Sequence, residues 1–474
     1  MIIKKPHTRS LPVTQIYVWI SLLLCISILL ASCSQAPTKP APTFAPNSVL
    51  AWIHQRAIPI QTLDPNASLD DLNGFQSIVG NASIVGLGEA SHSVHEFSVM
   101  KQRLLELLVQ RMGFTMFAME VEWGLGEQVN HYVMTGEGNL RQIVGARFFD
   151  VQEILDVIDW IRSYNADPQH TQKVHFAGFH TQGGKNDYDA IQQYLQTVDP
   201  QHVDSEMSLY SGVLPELEYA PSASSQSLAQ QRQDVAQAQQ VYNFLKAHQA
   251  AYIARSSPQA FTQVLQEAQV LIETAQWWVH DPVDDPLAIK AFQQRDNNMT
   301  ENVEWLHEYA PGGAKMVLWA HDWHIGMWGR WCCDPHNRVG EPYTWMGQYL
   351  RQRYGDQYLA VGFGFYQGSM NAFLVDANGN TISDRRQVVT IGPPDPQSYN
   401  ATLNAVGIPQ YILDLRHASA GSVSQWLSGP HQFRVFDNNY STDQNMFYTP
   451  LSLGEWFDVM IFFQKVSPAK LLFN

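Results

Sequence analysis

A carboxylate and two imidazoles stand close together just after an apolar run of this chain. Residues 83–87 are followed by Glu89, His92 and His95 within the segment Gly-Leu-Gly-Glu-Ala-Ser-His-Ser-Val-His. A histidine with a pKa near neutrality can take a proton from water, and a neighbouring carboxylate fixes its tautomer. These residue types at this spacing therefore indicate general acid/base chemistry. The alternative is that Glu89 caps the following helix and that both histidines are polar surface side chains.

Two further apolar runs also end in groups that can take part in catalysis. Residues 316–320 lead directly into His321 and His324, and residues 114–119 end at Glu120. Acid/base catalysis on a bound substrate requires such carboxylates and imidazoles to share one pocket. We therefore expect the three segments to form a single site.

The elements that must position these groups alternate along the chain. Segments with helical periodicity separate five apolar runs, at residues 83–87, 114–119, 174–178, 316–320 and 358–365. This alternation predicts an α/β fold with a mostly parallel sheet flanked by helices. The carboxyl ends of parallel strands meet at one edge of such a sheet, where ligands bind. Shorter strands that complete the sheet or an edge are predicted at residues 371–375, 411–415, 432–436 and 459–463.

One long interval departs from this alternation. Residues 199–308 include an Ala- and Gln-rich stretch and few β-branched clusters, which predicts a helical insertion or cap. Arg295 and Asp296 lie on its last helix and are predicted to return polar groups to the cleft; the alternative is a structural ion pair. Because site motifs stand on both sides of the insertion, we predict one catalytic domain, residues 48–474, that the insertion interrupts.

The ordered set of motifs over residues 70–465 resembles the erythromycin esterase family. The resemblance is carried by Gly-Glu-Ala-Ser-His at residues 88–92, Glu96 and Phe97, Lys101 and Arg103, Glu120, Arg295 and Asp296 with Met299 and Asn302, and Ala-His-Asp-Trp-His-Ile-Gly at residues 320–326. Lys101 stands where the family more often has arginine, which keeps the positive charge but loses the bidentate fork. Ser93 stands where the family often has glycine.

The resemblance implies that the protein is a carboxylic ester hydrolase acting on a small-molecule ester or lactone. For named members the bond is the macrolactone of a macrolide, so antibiotic resistance is the associated role. By position His92 matches the proposed general base, Glu89 and Glu120 match carboxylates that orient or polarise it, and His321 matches a second essential histidine. The reaction that the resemblance implies needs no cofactor.

The residues themselves favour direct attack by water. A tetrahedral oxyanion needs donors, which Lys101, Arg103 or His321 could supply. Neither a Gly-x-Ser-x-Gly nucleophile motif nor a His-Glu-x-x-His zinc motif occurs in the sequence. A covalent serine intermediate is therefore disfavoured. Further substrate contacts are predicted for a set of residues close to the three motifs, namely Arg103, His95, His324, Trp123, Arg295 and Asp296.

The first residues predict export and lipidation. Three basic residues precede an apolar run over residues 16–30, and Leu-Ala-Ser-Cys at residues 30–33 then resembles the bacterial lipobox. Residues 1–32 are thus predicted to be a lipoprotein signal peptide, with Cys33 as the acylated first residue. Residues 33–47 are predicted to be a flexible tether because Pro, Ala, Thr and Ser dominate them. The alternative is an uncleaved membrane anchor.

This anchor places the protein in the bacterial cell envelope. Ser34 follows the cysteine, whereas an aspartate there commonly retains a Gram-negative lipoprotein in the inner membrane. The outer membrane, the periplasm or the cell surface is therefore the expected location. Loss of residues 1–32, which carry three basic and no acidic side chains, changes the formal charge from -15 to -18. Such an acidic chain argues against nucleic acid as a partner.

Few cysteines remain after processing. Of the four in the chain, Cys25 leaves with the signal peptide and Cys33 carries lipid. The adjacent pair Cys332 and Cys333 cannot form a disulfide framework, although a vicinal disulfide, two thiols or a weak metal site with His336 are all open.

Two other function classes remain open. Glu89, His92, Glu120 and His321 could instead hold a divalent cation that lowers the pKa of bound water. The second alternative is a surface lipoprotein that keeps the fold and binds a ligand without catalysis.

Overall fold

The protein is described by a computed structural model over residues 45–145, 149–213, 226–279, 289–313, 315–327, 344–377, 379–418 and 420–473. The predicted signal peptide, Cys33 and most of the tether lie outside the described residues. Cys332, Cys333 and His336 also lie outside them.

The strands follow the predicted apolar runs closely. Those of the described residues are, in chain order, β1 (Ile58–Pro59), β2 (Ile84–Leu87), β3 (Met116–Glu122), β4 (His175–His180), β5 (Met316–Trp319), β6 (Tyr358–Leu374), β7 (Gln387–Ile391), β8 (Gln410–Asp414), β9 (His431–Arg434), β10 (Asn439–Tyr440), β11 (Tyr448–Leu451) and β12 (Val459–Val466).

Most of these strands form one large sheet. The main path runs β1-β8-β12-β6-β2-β5-β3-β4, and β7 and β10 pair with β6 off this path. Neighbours from β12 to β4 along the path are all parallel, while β8 pairs antiparallel with both β1 and β12. The predicted fold class, a mostly parallel α/β sheet flanked by helices, is confirmed.

Helices cover both faces of this sheet. Those of the described residues are α1 (Asn47–Arg56), α2 (Asn73–Val79), α3 (His95–Met112), α4 (Trp123–Thr135), α5 (Leu140–Val144), α6 (Gln152–Ala166), α7 (Lys185–Val198), α8 (Val203–Met207), α9 (Leu228–Ala247), α10 (Gln249–Arg255), α11 (Pro258–Trp277), α12 (Ile289–Tyr309), α13 (Asp322–Ile325), α14 (Met346–Tyr354), α15 (Tyr399–Ala405), α16 (Ser422–Ser428) and α17 (Leu453–Trp456).

The central strands are apolar on both sides because each face carries its own core. Val85 and Leu87 of β2 pack into a cluster with α3 and α6, while Ile84 packs into the opposite cluster with α12 and α14. Alternate residues of a strand point to opposite faces, so a strand covered by helices on both sides reads as a continuous apolar run. This burial on both faces explains why the sequence shows continuous apolar runs at these strands.

The helices of the insertion share a third core. Val241 of α9 and Phe261 of α11 pack there with Ile191 and Leu195 of α7. This core already includes α7, which precedes residue 199, the predicted start of the insertion. The last helix, α12, carries Met299 and Val303 into a core of the main sheet.

Two of the predicted strands differ from the structure. Residues 358–365 and 371–375 were expected to form separate strands, but β6 is one continuous strand over both. Gly368 permits this because its backbone passes close to β12, where a Cβ atom would lie 2.0 Å from the carbonyl oxygen of Val466. The run at residues 432–436 was expected to complete the main sheet or an edge of it. It forms β9 instead, which pairs with β11 in a separate two-stranded sheet.

Candidate active site

The loop after β2 holds a buried glutamate and histidine pair. The imidazole Nδ1 of His92 is 2.5 Å from Oε1 of Glu89. The other oxygen of Glu89 accepts hydrogen bonds from Lys101 Nζ at 2.7 Å and from Trp319 Nε1 at 3.0 Å. Each oxygen of the carboxylate is therefore engaged, and Glu89 fixes the orientation of the His92 ring. Gly88 allows the tight exit from β2 because a Cβ atom there would lie 2.1 Å from the carboxylate of Asp322.

The other ring nitrogen of His92 also contacts a carboxylate. Nε2 of His92 is 3.1 Å from Oδ1 of Asp437, in the segment that follows β9. The His92 side chain is 3% exposed, whereas that of Asp437 is 43% exposed. The edge of the Phe149 ring packs at 5.3 Å from the imidazole. His92 is thus clamped between two carboxylates at the wall of a pocket.

The ends of β3 and β5 complete this part of the site. The backbone N–H of His321 donates a 3.0 Å hydrogen bond to Oε2 of Glu120. The ring centroids of His321 and His92 are 5.0 Å apart. Nε2 of His321 donates to the carbonyl of Phe436 at 2.7 Å, and its Nδ1 accepts from the backbone of Trp323 at 3.3 Å. Because β2, β5 and β3 are adjacent parallel strands, Glu89, His321 and Glu120 meet at one edge.

A second network surrounds Glu120. Arg295 of α12 donates to Oε1 of Glu120 at 2.8 Å and to Nε2 of His180 at 2.6 Å. Nε2 of His324 lies 3.2 Å from the same oxygen of Glu120. Nδ1 of His324 donates to Asp296 at 2.8 Å. The last helix of the insertion therefore does return polar groups to the strand ends.

The charges around His92 explain its protonation. Burial by itself would lower the pKa of His92, but the hydrogen bonds and charges of Asp437 and Glu89 outweigh burial and raise the pKa to about 10. Burial would raise the pKa of Glu89, yet Lys101 and His92 hold it below its ordinary value. His92 is consequently an imidazolium in the resting protein at neutral pH. The stability that protonation of His92 contributes is fully present below pH 6.5, as long as Glu89 and Asp437 stay ionised, and is lost as the pH rises toward 10.

The two histidines that follow β5 have pKa values shifted in opposite directions. Burial lowers the pKa of His321 to about 4, and the positive charge of His92 acts in the same direction. Burial would also lower the pKa of His324, but the carboxylates of Asp296 and Glu120 outweigh it and raise the pKa to about 9. His321 is therefore neutral at pH 7.

These groups line one large pocket. Its volume is about 1580 Å³, above the roughly 300–1,000 Å³ of typical ligand pockets. The polar wall is formed by His92, Glu120, His180, Arg295, His321, His324 and Asp437. Aromatic walls face it, formed by Phe149, Phe292, Trp323, Trp345 and Phe473. The pocket therefore suits a large small molecule with extensive apolar surface.

Six of the predicted site residues do not line this pocket, and one of them is Glu89, the carboxylate that holds Nδ1 of His92. Arg103 is fully buried and donates to Asp71 at 2.8 Å and to the carbonyl of Ser68 at 2.7 Å, so the prediction that it contacts substrate is corrected. Trp123 is packed in the core, with its ring 5.2 Å from that of Trp305. Both side chains point away from the strand ends because their positions on α3 and α4 face other elements.

The remaining three support the site or lie outside it. Lys101 has no exposed surface and contacts Glu89, so it positions that carboxylate and does not donate to an oxyanion. Asp296 is also fully buried and holds His324 in the same way. His95 donates to Glu153 at 2.7 Å and is half-exposed on α3, outside the pocket.

Sequence reasoning missed two residues of the polar wall. Asp437 was not singled out because it follows an unremarkable strand, 345 positions after His92. His180 ends β4 and was equally missed, although the rule that identified Glu120 and His321 applies to it. A polar residue at the end of each predicted parallel strand was the available indication for His180. Asp437 directly follows the predicted strand at residues 432–436, but this strand does not join the parallel sheet, so the rule does not extend to it.

The alternative hypothesis was that Glu89, His92, Glu120 and His321 hold a divalent cation. In the part of the chain that the structure describes, no group of three or more His, Cys, Asp or Glu side chains is arranged to hold a metal ion. Lys101 and Trp319 donate to Oε2 of Glu89, and Nε2 of His321 donates to a carbonyl. Oε2 of Glu89 and Nε2 of His321, which would be metal ligands under that hypothesis, are thus hydrogen-bonded within the protein.

Comparisons with known proteins agree with this architecture. The family model for erythromycin esterase matches residues 109–466. The chain belongs to the erythromycin esterase family. This assignment confirms the resemblance inferred from the motifs. The match begins after Glu89 and His92. The pairing of these two residues is therefore seen in the structure and is not part of the family match.

Several known proteins are similar to this chain over most of its length. "Putative hydrolase YbfO" of Bacillus subtilis (strain 168) is 21% identical over 431 residues, 89% of this chain and 92% of that protein. The erythromycin esterase type II of Escherichia coli is 22% identical over 348 residues, 69% and 79% of the two chains. A crystal structure of a Bacillus cereus protein is 29% identical, with a TM-score of 0.77 over 90% and 98% of the chains. As a family member, the protein is a hydrolase.

Among the residues that the structure describes, no helix has the length and the apolar character needed to cross a bilayer.

Proposed function

We propose that the protein hydrolyses a carboxylic ester or macrolactone of a small molecule, with His92 activating the attacking water. The observation that best supports this role is the fixed orientation of the His92 ring. Glu89 holds Nδ1 at 2.5 Å and is itself held by Lys101 and Trp319. Nε2 is therefore the nitrogen available for proton transfer once its contact with Asp437 opens.

The proposed reaction has two steps. Nε2 of His92 takes a proton from water while the water oxygen bonds to the acyl carbon and the carbonyl electron pair moves to oxygen. The tetrahedral intermediate then collapses, and the departing alkoxide takes the proton back from Nε2. Glu89 stabilises the imidazolium between these steps. The products are a carboxylate and an alcohol, or one hydroxy acid from a lactone.

Direct attack by water fits the composition of the pocket. Among the described residues that line it there is no serine, threonine or cysteine. A covalent acyl intermediate on such a nucleophile is therefore not part of the proposal. The cation that we assign to the developing oxyanion is Arg295, which lines the pocket and whose guanidinium is fixed by Glu120 and His180. It replaces Lys101 and Arg103 in that role.

The substrate class follows from pocket size and walls. A space of about 1580 Å³ with aromatic walls favours a bulky, largely apolar ester. The relative named erythromycin esterase type II points to a macrolide lactone as one member of this class.

A panel of esters and lactones, including macrolides, tests this function with the purified protein. We expect turnover of at least one bulky apolar member and no acyl adduct on the quenched enzyme by mass spectrometry. Exhaustive chelation should leave this turnover unchanged because His92, and not a metal ion, activates the water. Turnover that chelation abolishes and zinc or manganese restores would support the metal-dependent alternative.

We also propose that the mature protein is a lipid-anchored component of the bacterial cell envelope. Cys33, in the lipobox-like Leu-Ala-Ser-Cys segment, is the acylated first residue, and residues 33–47 tether the enzyme to the membrane. Replacing Cys33 with serine should abolish incorporation of labelled fatty acid and leave the precursor unprocessed. The check is mass spectrometry of the mature N-terminus. Intact residues 1–32 on the wild-type mature protein would contradict the proposal.

A further inference from the structure

Asp437 occupies the ring nitrogen that the proposed reaction uses. Its Oδ1 lies 3.1 Å from Nε2 of His92, on the side of the imidazole opposite Glu89. Nε2 makes one hydrogen bond in the plane of the ring. Water therefore cannot occupy this position while Asp437 does. The resting arrangement is therefore incompatible with general base catalysis by His92.

The backbone around Asp437 is fixed from several sides. The N–H of Phe436 donates to the carbonyl of Ala90 at 2.7 Å, and the hydroxyl of Ser91 donates to the carbonyl of Asp437 at 3.0 Å. His321 donates to the carbonyl of Phe436 at 2.7 Å. These bonds attach the segment to the loop that carries His92. The side chain of Asp437, by contrast, is 43% exposed and lines the pocket.

We propose that Asp437 is a resting-state clamp on His92, which the substrate displaces to free Nε2 for catalysis. This inference rests on the proposed role of His92 as the base. The pocket-facing position of Asp437 supports it, because both residues line the pocket and the Asp437 side chain is 43% exposed whereas that of His92 is 3% exposed. Asp437 acts through His92 and is in this sense a positioning residue.

Charged groups from each neighbouring element also act on His92. Glu89 contacts Nδ1 from the loop after β2, and Lys101 of α3 lies behind Glu89. Glu120 at the end of β3 and Asp322 at the start of α13 interact with the imidazolium electrostatically. These groups remain when Asp437 turns away.

Loss of the clamp removes one of two direct carboxylate contacts. An opposite charge in contact shifts a pKa by about 1–3 units. Displacement of Asp437 should therefore lower the pKa of His92 toward neutrality, while Glu89 still orients the ring. The imidazolium then loses its Nε2 proton to water, and the neutral base is formed only in the complex with substrate.

The first test titrates His92 directly and needs no substrate. NMR of the protein with ¹⁵N-labelled histidine follows the His92 signal, identified by its loss in His92→Gln. In Asp437→Asn the titration midpoint should fall by about 1–3 pH units relative to wild type. Asp384→Asn is the matched control, since Asp384 is another exposed carboxylate of the same pocket. An unchanged midpoint in Asp437→Asn, or an equal fall in Asp384→Asn, overturns the clamp.

The second test uses the pH dependence of turnover on an ester that the wild type hydrolyses. The acidic limb of kcat/KM reports the free enzyme, and that of kcat reports the complex with substrate. Since the unprotonated base is active, both limbs rise with pH. In the wild type the kcat/KM limb should lie at higher pH than the kcat limb, and Asp437→Asn should bring the two together. Coincident limbs in the wild type contradict displacement by substrate.

The two tests separate this inference from the proposed function. If no ester is hydrolysed but the midpoint of His92 falls in Asp437→Asn, the contact is real and the proposed function fails. If esters are hydrolysed and the midpoint is unchanged, the clamp fails and the proposed function stands. Asp437→Ala serves as a second variant, because it also removes the carboxylate that contacts Nε2 of His92 and should lower the midpoint in the same way.

Discussion

Replacement of His92 with glutamine is expected to lower kcat by about 10²–10⁴-fold, the contribution typical of a positioned general base. Glutamine fills similar space and can still bond to Glu89, but it cannot take a proton from water. The measurement is kcat for an ester that the wild type hydrolyses, normalised to folded protein by thermal melts.

A second histidine in the same segment provides the control. His95 lies three residues further along, pairs with Glu153 and does not line the pocket. His95→Gln should keep kcat close to that of the wild type. Near-normal kcat in His92→Gln, or an equal loss in both variants, would remove His92 from the mechanism.

Replacement of Lys101 with methionine is expected to lower the free energy of unfolding by about 3–5 kcal/mol, the usual cost of removing one partner of a buried ion pair. Lys101 is fully buried and Glu89 is 1% exposed, so the carboxylate would lose one of its two cationic partners in a low-dielectric interior and keep only His92. Urea unfolding followed by tryptophan fluorescence measures the change.

Removal of both charges separates stability from catalysis. The double variant Lys101→Met with Glu89→Gln leaves no unpaired buried charge and should regain part of the lost stability. It should nevertheless remain poorly active, since glutamine cannot stabilise the imidazolium as a carboxylate does. A double variant with wild-type kcat would show that the Glu89 charge has no role in catalysis. A Lys101→Met variant as stable as the wild type would contradict the ion-pair argument.

The sequence determined the strand framework and the groups at its carboxyl edge. The apolar runs that predicted β2, β3 and β5 are strong patterns because helices cover both faces of these strands. Glu89, Glu120 and His321 follow directly at the strand ends, so the parallel order that brings the strands together also brings these residues together. The short distance along the chain between Glu89 and His92 was itself enough to indicate their pairing.

The orientation of helix residues required the tertiary structure. Lys101 and Arg103 are two positions apart on α3, and both were candidate oxyanion donors in the sequence. Residues two apart on a helix point in directions about 200° apart, so only Lys101 faces Glu89, while Arg103 faces Asp71. Which side of α3 faces the sheet depends on the packing of the whole helix.

The position of Asp437 beside His92 is visible only in the tertiary structure. It lies 345 positions after His92 and follows β9, which belongs to the small sheet and not to the large parallel one. The strand-end rule does not place it beside His92, because β9 lies outside the parallel sheet and the position of Asp437 depends on hydrogen bonds from Phe436 and Ser91 across long loops. The sequence therefore identified Glu89 and, through the family resemblance, Glu120 as carboxylates acting on His92. The fold instead places Asp437 against Nε2, since contacts between distant loops are set by how the chain closes.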